Sequence, residues 1–207
     1  DGVIDDYDKT NIGSPMPKFT FGWTNTFRYK NFDLSVFING SYGNKVYNYL
    51  SMKLTHMNSP WTNQLNAVNG RAQLVPINPN KVYEDGTMWY NDVSNVMVAN
   101  PGASIPRATI NDPNDNDRIS DRYIEDGSYI RLKNISLGYT FPKKTIDKLG
   151  LSNLRIYANI QNLLTITGYD GYDPEIGAST SSVNVYGLDN GRYPSPTVYS
   201  FGLNVSF

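Results

Sequence analysis

Strict alternation of apolar and polar residues runs to the last position of this chain, over residues 197–207. One register holds Tyr199, Phe201, Leu203, Val205 and Phe207, while Ser, Gly and Asn fill most of the other. A period of two residues indicates a β-strand with one apolar and one polar face. Terminal residues usually fray unless something holds them. We therefore expect a strand that is paired with a neighbour and surrounded by apolar material.

Four earlier runs alternate in the same way. With the last run they predict five strands, near residues 18–30, 31–42, 128–141, 153–166 and 197–207. Counting the third run from Asn134, 23 of the 26 positions on the apolar faces are apolar or aromatic, and none is charged. Before that point Arg131 and Lys133 fall in the apolar register, which indicates either a β-bulge or a strand that rises above the apolar zone.

Apolar residues on one face and polar residues on the other are typical of a transmembrane β-barrel wall between lipid and lumen. A strand of about 11 residues, rising about 3.4 Å per residue and tilted about 40°, spans roughly 28 Å, close to the apolar band of an outer membrane. A charge facing mid-membrane lipid costs about 2–4 kcal/mol, so its absence from these faces is expected. We predict an all-β fold: an antiparallel transmembrane barrel wall of about five strands.

The links between strands alternate in length. Short links follow the first and third strands, as expected for periplasmic turns, and one helical turn is expected within residues 142–153. The long segments 1–17, 43–127 and 167–196 are predicted to be extracellular loops. A short helix is expected near residues 46–56.

Composition excludes several classes of protein. The chain has 18 basic and 19 acidic residues, a balance that gives no basic footprint for nucleic acid. It has no cysteine, which excludes disulfides and cysteine metal sites. No run of about 18 apolar residues is present, so no transmembrane helix is expected. The acidic start lacks the apolar segment of a signal peptide.

The first eight residues, DGVIDDYD, resemble the second half of a calcium loop. In that register Asp1, Asp5 and Asp8 supply carboxylates and Val3 supplies its carbonyl, so calcium is a possible ligand. The alternative is an acidic surface turn. Because the motif starts in its middle, we expect the chain to be part of a longer protein.

Catalysis has little support in the sequence. His56 is the single histidine, so neither a Ser-His-Asp triad nor a multi-histidine metal site is expected. Asp170, Asp173 and Glu175 could supply a pair of glycosidase carboxylates, but no predicted element fixes their separation. We expect no catalytic residue and no enzyme activity.

Loop aromatics are the better candidates for a functional role, because sugar rings and peptide side chains stack on such surfaces. They are Trp61, Trp89, Tyr90, Tyr169 and Tyr172. The alternative is that these rings pack the loops onto one another or onto a partner protein.

A soluble fold with a similar pattern also has to be considered. A β-sandwich has one apolar face on each sheet, and with the acidic loop it would suit a secreted, calcium-dependent carbohydrate-binding module. Sandwich strands are usually shorter, with turns every 8–12 residues. The strand lengths here favour the barrel.

Several stretches resemble the SusC/RagA-type TonB-dependent outer-membrane transporters. The most specific are SDRYIEDGSYIRLKNISLGYTF and LRIYANIQNLLTITGYDGYDPEIG, and the others include FDLSVFINGSYGN and SFGLNVSF. The resemblance implies the C-terminal part of a 22-stranded barrel whose lumen is plugged, in the outer membrane of a Gram-negative bacterium.

The same resemblance implies a function and a set of partners. They are active uptake of large nutrients, glycan or peptide, a SusD-like surface lipoprotein as a lid, and TonB, which contacts a segment outside this chain. The remaining strands and the plug would belong to the same protein, and outer-membrane lipid would surround the barrel. The last strand, with Tyr199, Phe201, Leu203, Val205 and Phe207, resembles the signal read by the barrel-insertion machinery.

Overall fold

Five long strands dominate the computed structural model, which describes residues 4–112, 114–175 and 186–207. They are β1 (Phe19–Tyr29), β2 (Phe32–Tyr42), β7 (Tyr129–Thr140), β8 (Asn153–Thr167) and β10 (Val198–Ser206). Each end lies within one residue of the range expected from the alternation.

These strands form one antiparallel sheet in the order β1-β2-β7-β8-β10. The register shifts between Leu132 and Asn134 against both neighbouring strands, so the bulge is the correct one of the two interpretations, and it lies at Lys133. On the β8 side Asn162 takes a φ of 52°, which accommodates the irregularity there. The bulge turns Arg131 onto the polar face of the sheet, in register with Asn39 and Thr165.

The apolar face of this sheet has exposed side chains on all five strands and is half-buried in the middle of β2. On β10 and just after it, Phe201 is 84% exposed and Phe207 is 93% exposed. A sandwich would need a second sheet packed on these side chains, and none covers them within the described part of the chain. The sandwich alternative is therefore wrong for this fold, and the barrel wall is confirmed.

Short links join neighbouring strands at one end of the sheet, which we call the turn end. Lys30 and Asn31 connect β1 to β2, with Lys30 at a φ of 53°, the left-handed conformation of a tight hairpin. The link from β7 to β8 contains the helix α2 (Lys143–Ile146), which confirms the expected helical turn.

A second, small sheet lies beyond the opposite end of the wall strands, the loop end. It consists of β3 (Lys45–Asn48), β6 (Ile124–Asp126) and β9 (Leu188–Asp189) in the order β6-β3-β9. Val46, at 1% exposed, and Tyr123, at 3%, form its buried core. The chain thus leaves β2, adds β3, and returns through β6 into β7.

Residues 49–120 are not a structureless loop. They contain α1 (Tyr49–Thr55), which confirms the expected short helix, and the antiparallel pair β4 (Leu74–Pro76) and β5 (Val96–Val98). Single 3-10 turns complete the secondary structure. They are Asp6–Asp8, Asn66–Gly70, Trp89–Asn91, Val93–Asn95, Asp121–Tyr123 and Asp147–Leu149.

The chain divides into two compact units. One comprises Asp1–Thr10 and Tyr49–Ser120, and the other comprises Asn11–Asn48 and Asp121–Phe207, which includes the wall. In the first unit the buried side chain of Asn95 donates to Asn78 O and to the Tyr83 hydroxyl, and Asn100 donates to Arg71 O. Hydrogen bonds from amide side chains thus join separate segments of this unit. Within the described residues no helix is both long and apolar enough to cross a bilayer.

Candidate functional site

Two charged clusters lie on the polar face of the wall, one toward each end. At the loop end Arg131 is 3% exposed and contacts two carboxylates. Its Nη1 donates to Glu175 Oε2 at 2.6 Å, its Nη2 donates to Asp173 Oδ1, and its Nε donates to Thr165 Oγ1 at 2.8 Å. Lys133 Nζ also lies 2.6 Å from Glu175 Oε2. We call Arg131, Lys133, Asp173 and Glu175 the Arg131 cluster.

The Arg131 cluster joins the wall to the loop that follows β8. Burial raises the pKa of the Asp173 carboxyl, but hydrogen bonds from Arg131 and from the backbone N–H groups of Ser195 and Glu175 outweigh it, so the pKa lies below its usual range. The carboxylate is therefore charged at neutral pH. Asp173 and Glu175, considered in the sequence as glycosidase carboxylates, are both bound by Arg131, which suits them to anchoring rather than to hydrolysis.

A second set of polar contacts fixes the same loop to the small sheet. The Tyr169 hydroxyl donates to Asp189 Oδ2 at 2.5 Å, and Asp170 N donates to Glu125 Oε2 at 2.9 Å. Burial, followed by the hydrogen bond to Asp189, raises the pKa of the Tyr169 phenol far above its usual range. The other Glu125 oxygen accepts from Asn48 Nδ2 at 2.8 Å. Both ends of the segment 169–175 are thus held by polar contacts.

The cluster at the turn end is more open. Arg155 donates to Asp33 through Nη2 at 2.6 Å and through Nε at 3.2 Å, across the intervening strand β7. Gly138 makes this possible, because a Cβ there would collide with the Arg155 guanidinium. With Arg28 and Lys30 these residues line a polar pocket of about 560 Å³, which we call the turn-end pocket.

The aromatic residues predicted to contact substrate occupy different environments. Trp61 is 93% exposed and Tyr172 is 65% exposed, so both offer a ring face to solvent. Tyr90 is 42% exposed and packs edge-on against the half-buried Trp89, with ring centroids 5.7 Å apart. Tyr169 differs, since it is 5% exposed and bonded to Asp189. Its placement suits the loop-packing alternative, whereas the other four stay predicted contact residues.

His56 belongs to a cluster that the sequence did not indicate. Its Nε2 lies 2.9 Å from Asp112 Oδ2 and its Nδ1 lies 3.9 Å from Asp117 Oδ2. Burial raises the pKa of the Asp112 carboxyl, but hydrogen bonds from Asn116 and His56 lower it more, so the net shift is downward. Among the described residues this trio has the composition of a metal site. Asp112 is already bonded to Asn116 and His56, which suits a structural network.

The predicted calcium loop is described only in part. Asp1 and Val3 lie outside the described residues. Asp5 and Asp8 form a reciprocal cap, in which Asp8 Oδ2 accepts from Asp5 N and Asp5 Oδ1 accepts from Tyr7 N, both at 2.8 Å. Each carboxylate keeps further lone pairs. Calcium binding stays a prediction.

The final strand lies at an edge of the wall. β10 pairs with β8, with Tyr199 opposite Ile160 and Val205 opposite Leu154. Its apolar side chains are exposed: Tyr199 61%, Phe201 84%, Leu203 60%, Val205 39% and Phe207 93%. The other edge of β10 meets no strand among the described residues. The role of this strand in barrel assembly stays a prediction.

Comparison with known proteins finds similar receptors and structures, although no family model matches the chain. TonB-dependent receptor P3 of Formosa agariphila is 36% identical over 211 residues, covering all of this chain and 18% of the receptor. TonB-dependent receptor P26 of the same organism is 33% identical over 215 residues, covering all of the chain and 19% of the receptor. TonB-dependent receptor SusC of Bacteroides thetaiotaomicron is 29% identical over 209 residues, covering all of the chain and 17% of SusC.

Solved structures share the fold. The RagAB peptide transporter matches with a TM-score of 0.67 at 20% identity, over 95% of this chain and 18% of the matched chain. The RagAB peptide importer in the "open-open" state matches with a TM-score of 0.64 at 19% identity, over 99% of this chain and 20% of the matched chain.

The chain spans less than a fifth of the curated relatives it matches. Those relatives are named as receptors, which agrees with the expectation of no enzyme activity. The similarity over the whole of this chain and the five-stranded wall agree. The chain is similar to one part of the TonB-dependent receptors, among them SusC, which are outer-membrane β-barrel proteins of Gram-negative bacteria, and its five strands form a wall of that kind.

Proposed function

We propose that this chain is part of a TonB-dependent importer that takes up a large nutrient, glycan or peptide, across the outer membrane. One observation carries the proposal: a wall with an exposed apolar face and a polar face, matched over its full length by TonB-dependent receptors. The apolar face suits lipid, and the polar face suits a lumen. The matched solved structures are named as a peptide importer or transporter, which supports a peptide as one candidate substrate.

The proposed partners follow from the same assignment. A SusD-like surface lipoprotein acts as a lid, and TonB acts on a part of the receptor outside this chain. The remaining strands and the plug belong to the same polypeptide. In the matched relatives, more than four fifths of the chain lies outside the matched segment. Outer-membrane lipid surrounds the apolar face.

Uptake by the full-length receptor tests the proposal. Cells that carry the receptor are given fluorescent oligosaccharides or fluorescent oligopeptides, with a strain lacking TonB as the control. We expect accumulation of one class of compound, and we expect it to disappear without TonB. Equal accumulation in the two strains, or accumulation of neither class, would contradict active import.

Trp61 provides a residue-level test in its own unit. A ring contact is worth about 0.5–1.5 kcal/mol, so Trp61→Ala is expected to weaken substrate binding roughly 2-fold to 13-fold. Ile110→Ala is the matched control, because Ile110 is also exposed, at 82%, but is not aromatic. Tyr172→Phe and Tyr172→Ala ask the same question of the loop after β8. If the Trp61 and Ile110 variants bind substrate equally, Trp61 is not a contact residue.

A further inference from the structure

The turn-end pocket carries more positive charge than its own residues neutralise. Arg28, Lys30 and Arg155 line it together with a single carboxylate, that of Asp33. Arg155 already engages both oxygens of Asp33, at 2.6 and 3.2 Å. The pocket thus contains three cations and one carboxylate.

Arg28 and Lys30 are the cations left over. Arg28 lies directly opposite Asp33 in the pairing of β1 with β2, yet no ion pair of Arg28 or Lys30 occurs among the described residues. Lys30 Nζ lies 5.3 Å from the centre of the Tyr29 ring, a contact worth only about 0.5–1 kcal/mol at an exposed site. The cross-strand position of Arg28 and the ring contact of Lys30 leave the N–H donors of both side chains without a carboxylate partner.

One of the three positive charges of the pocket is held in place. Arg155 lies over Gly138, which leaves room for the guanidinium, and its pair with Asp33 fixes its orientation. Thr140 and Asn31 add polar groups to the lining. A volume of about 560 Å³ lies in the usual range for ligand sites, about 300–1,000 Å³. Charges held in a concave site attract an anion more strongly than charges on an open surface do.

We infer that the turn-end pocket binds the carboxylates of an acidic peptide segment from the part of the receptor outside this chain. The arginine fork and the lysine ammonium match carboxylate oxygens in geometry and charge. The pocket opens on the polar face of the wall, which is the lumen side of a barrel. More than four fifths of the matched relatives lies outside the segment, so the same polypeptide has ample chain to supply the acidic residues.

Zero-length crosslinking of the full-length receptor tests this inference directly. A carbodiimide couples an amine to a carboxylate in contact with it, with loss of water to the reagent. We expect Lys30 to be joined to an Asp or Glu beyond this chain, as read by mass spectrometry. Lys30→Arg keeps the charge but cannot be coupled, so it should abolish the product. Lys148, an exposed lysine in the link at the same end of the wall, should give no defined product.

Hydrogen exchange supplies the second measurement. The double variant Arg28→Gln with Lys30→Gln should raise amide exchange in the crosslinked acidic segment by at least about tenfold, the size expected for loss of a hydrogen bond to a charged group. Exchange in β1 and β2 should not change, because both side chains are exposed. Arg28→Lys with Lys30→Arg should restore protection.

Two outcomes would overturn the inference. They are coupling of Lys30 only to residues within this chain, and unchanged exchange in the double variant. Crosslinking and exchange report contact in the pocket, whereas the uptake assay reports import. Failure of the pocket inference can therefore be distinguished from failure of the proposed import function.

Discussion

Arg131 and Arg155 both cross the polar face of the wall to reach carboxylates, at opposite ends and at different depths. Arg131 is 3% exposed and contacts two carboxylates on the loop after β8. Arg155 is 26% exposed and contacts Asp33, which is 31% exposed, on another wall strand. One pair joins wall to loop in a dry site, and the other joins wall to wall beside an open pocket.

Burial decides what each arginine does. Charges removed from water cost several kcal/mol, and removing one partner leaves the other unpaired, so a buried pair is hard to break. An exposed pair contributes about 0–1 kcal/mol because water and salt screen it. The Arg131 cluster therefore acts as a structural anchor for the loop, whereas the turn-end pocket keeps charge available for a ligand.

Replacement of Arg131 should have the largest effect. In the full-length receptor, Arg131→Gln leaves Asp173 without its buried cation, and we expect the free energy of opening the loop to fall by about 3–5 kcal/mol. Amide exchange over residues 169–175 should then rise by a hundredfold or more, since about 1.4 kcal/mol corresponds to tenfold.

Two further variants give this measurement its controls. Lys133→Gln removes only the half-buried partner of Glu175 and should change exchange by a smaller factor. Arg131→Met combined with Asp173→Leu and Glu175→Met removes all three charges, and it should recover part of the lost stability. Unchanged exchange in Arg131→Gln would mean that the cluster does not anchor the loop.

Acid should release part of the same anchor. Because the pKa of Asp173 is lower in the folded state than in the unfolded state, its stabilisation is complete above the unfolded value of about 3.9 and is lost as pH falls through the folded value. Loop exchange, corrected for its intrinsic pH dependence, should be flat above about pH 5 and rise below about pH 4. In Asp173→Asn the rise should disappear. A rise that starts at pH 6 would point to another group.

The wall could be predicted from the sequence because its determinants are local. In β1, Phe19, Trp23 and Tyr29 alternate with polar residues, so the sequence of this one segment is enough to predict the strand. The two charges in an apolar register also indicate a break in the pattern, but they do not decide between a bulge and a strand that rises above the apolar zone. Lipid imposes this regularity by excluding charge from one face along the full strand.

The anchor could not be predicted, because its partners are brought together by register and by an irregularity. Arg131 and Asp173 are 42 residues apart, and only the bulge turns Arg131 onto the polar face. His56 and Asp112 are likewise 56 residues apart. In the unit that contains them, Asn95 is held by side-chain contacts to Asn78 and Tyr83, which follow no periodic pattern. In the sequence such contacts are visible only as an abundance of Asn and Asp, which does not predict the partners.

Replacement of Tyr169 should have an intermediate effect on stability, because its buried hydrogen bond joins an uncharged hydroxyl to a carboxylate. Tyr169→Phe removes the donor to Asp189, a carboxylate that is 2% exposed, and should cost about 1–3 kcal/mol. The strain should appear in the small sheet, as faster exchange of Tyr47 N, which donates to Gly187 O beside Asp189. Tyr172→Phe is the matched control, since Tyr172 is 65% exposed, and its effect should stay within about 0.5 kcal/mol.

The smallest effect belongs to Arg155. Arg155→Gln breaks a half-buried pair whose side chains are 26% and 31% exposed, so water screens it in part, and we expect a loss of only about 1 kcal/mol in the denaturant stability of the full-length receptor. Asp33 then becomes free to pair with Arg28, its cross-strand neighbour, which would lower the positive charge of the turn-end pocket. Crosslinking of Lys30 to an acidic segment should therefore weaken even though the wall stays folded. A loss of stability as large as that in Arg131→Gln would show that burial does not determine how much each arginine contributes. The distinction between a structural anchor and an open pocket would then be wrong.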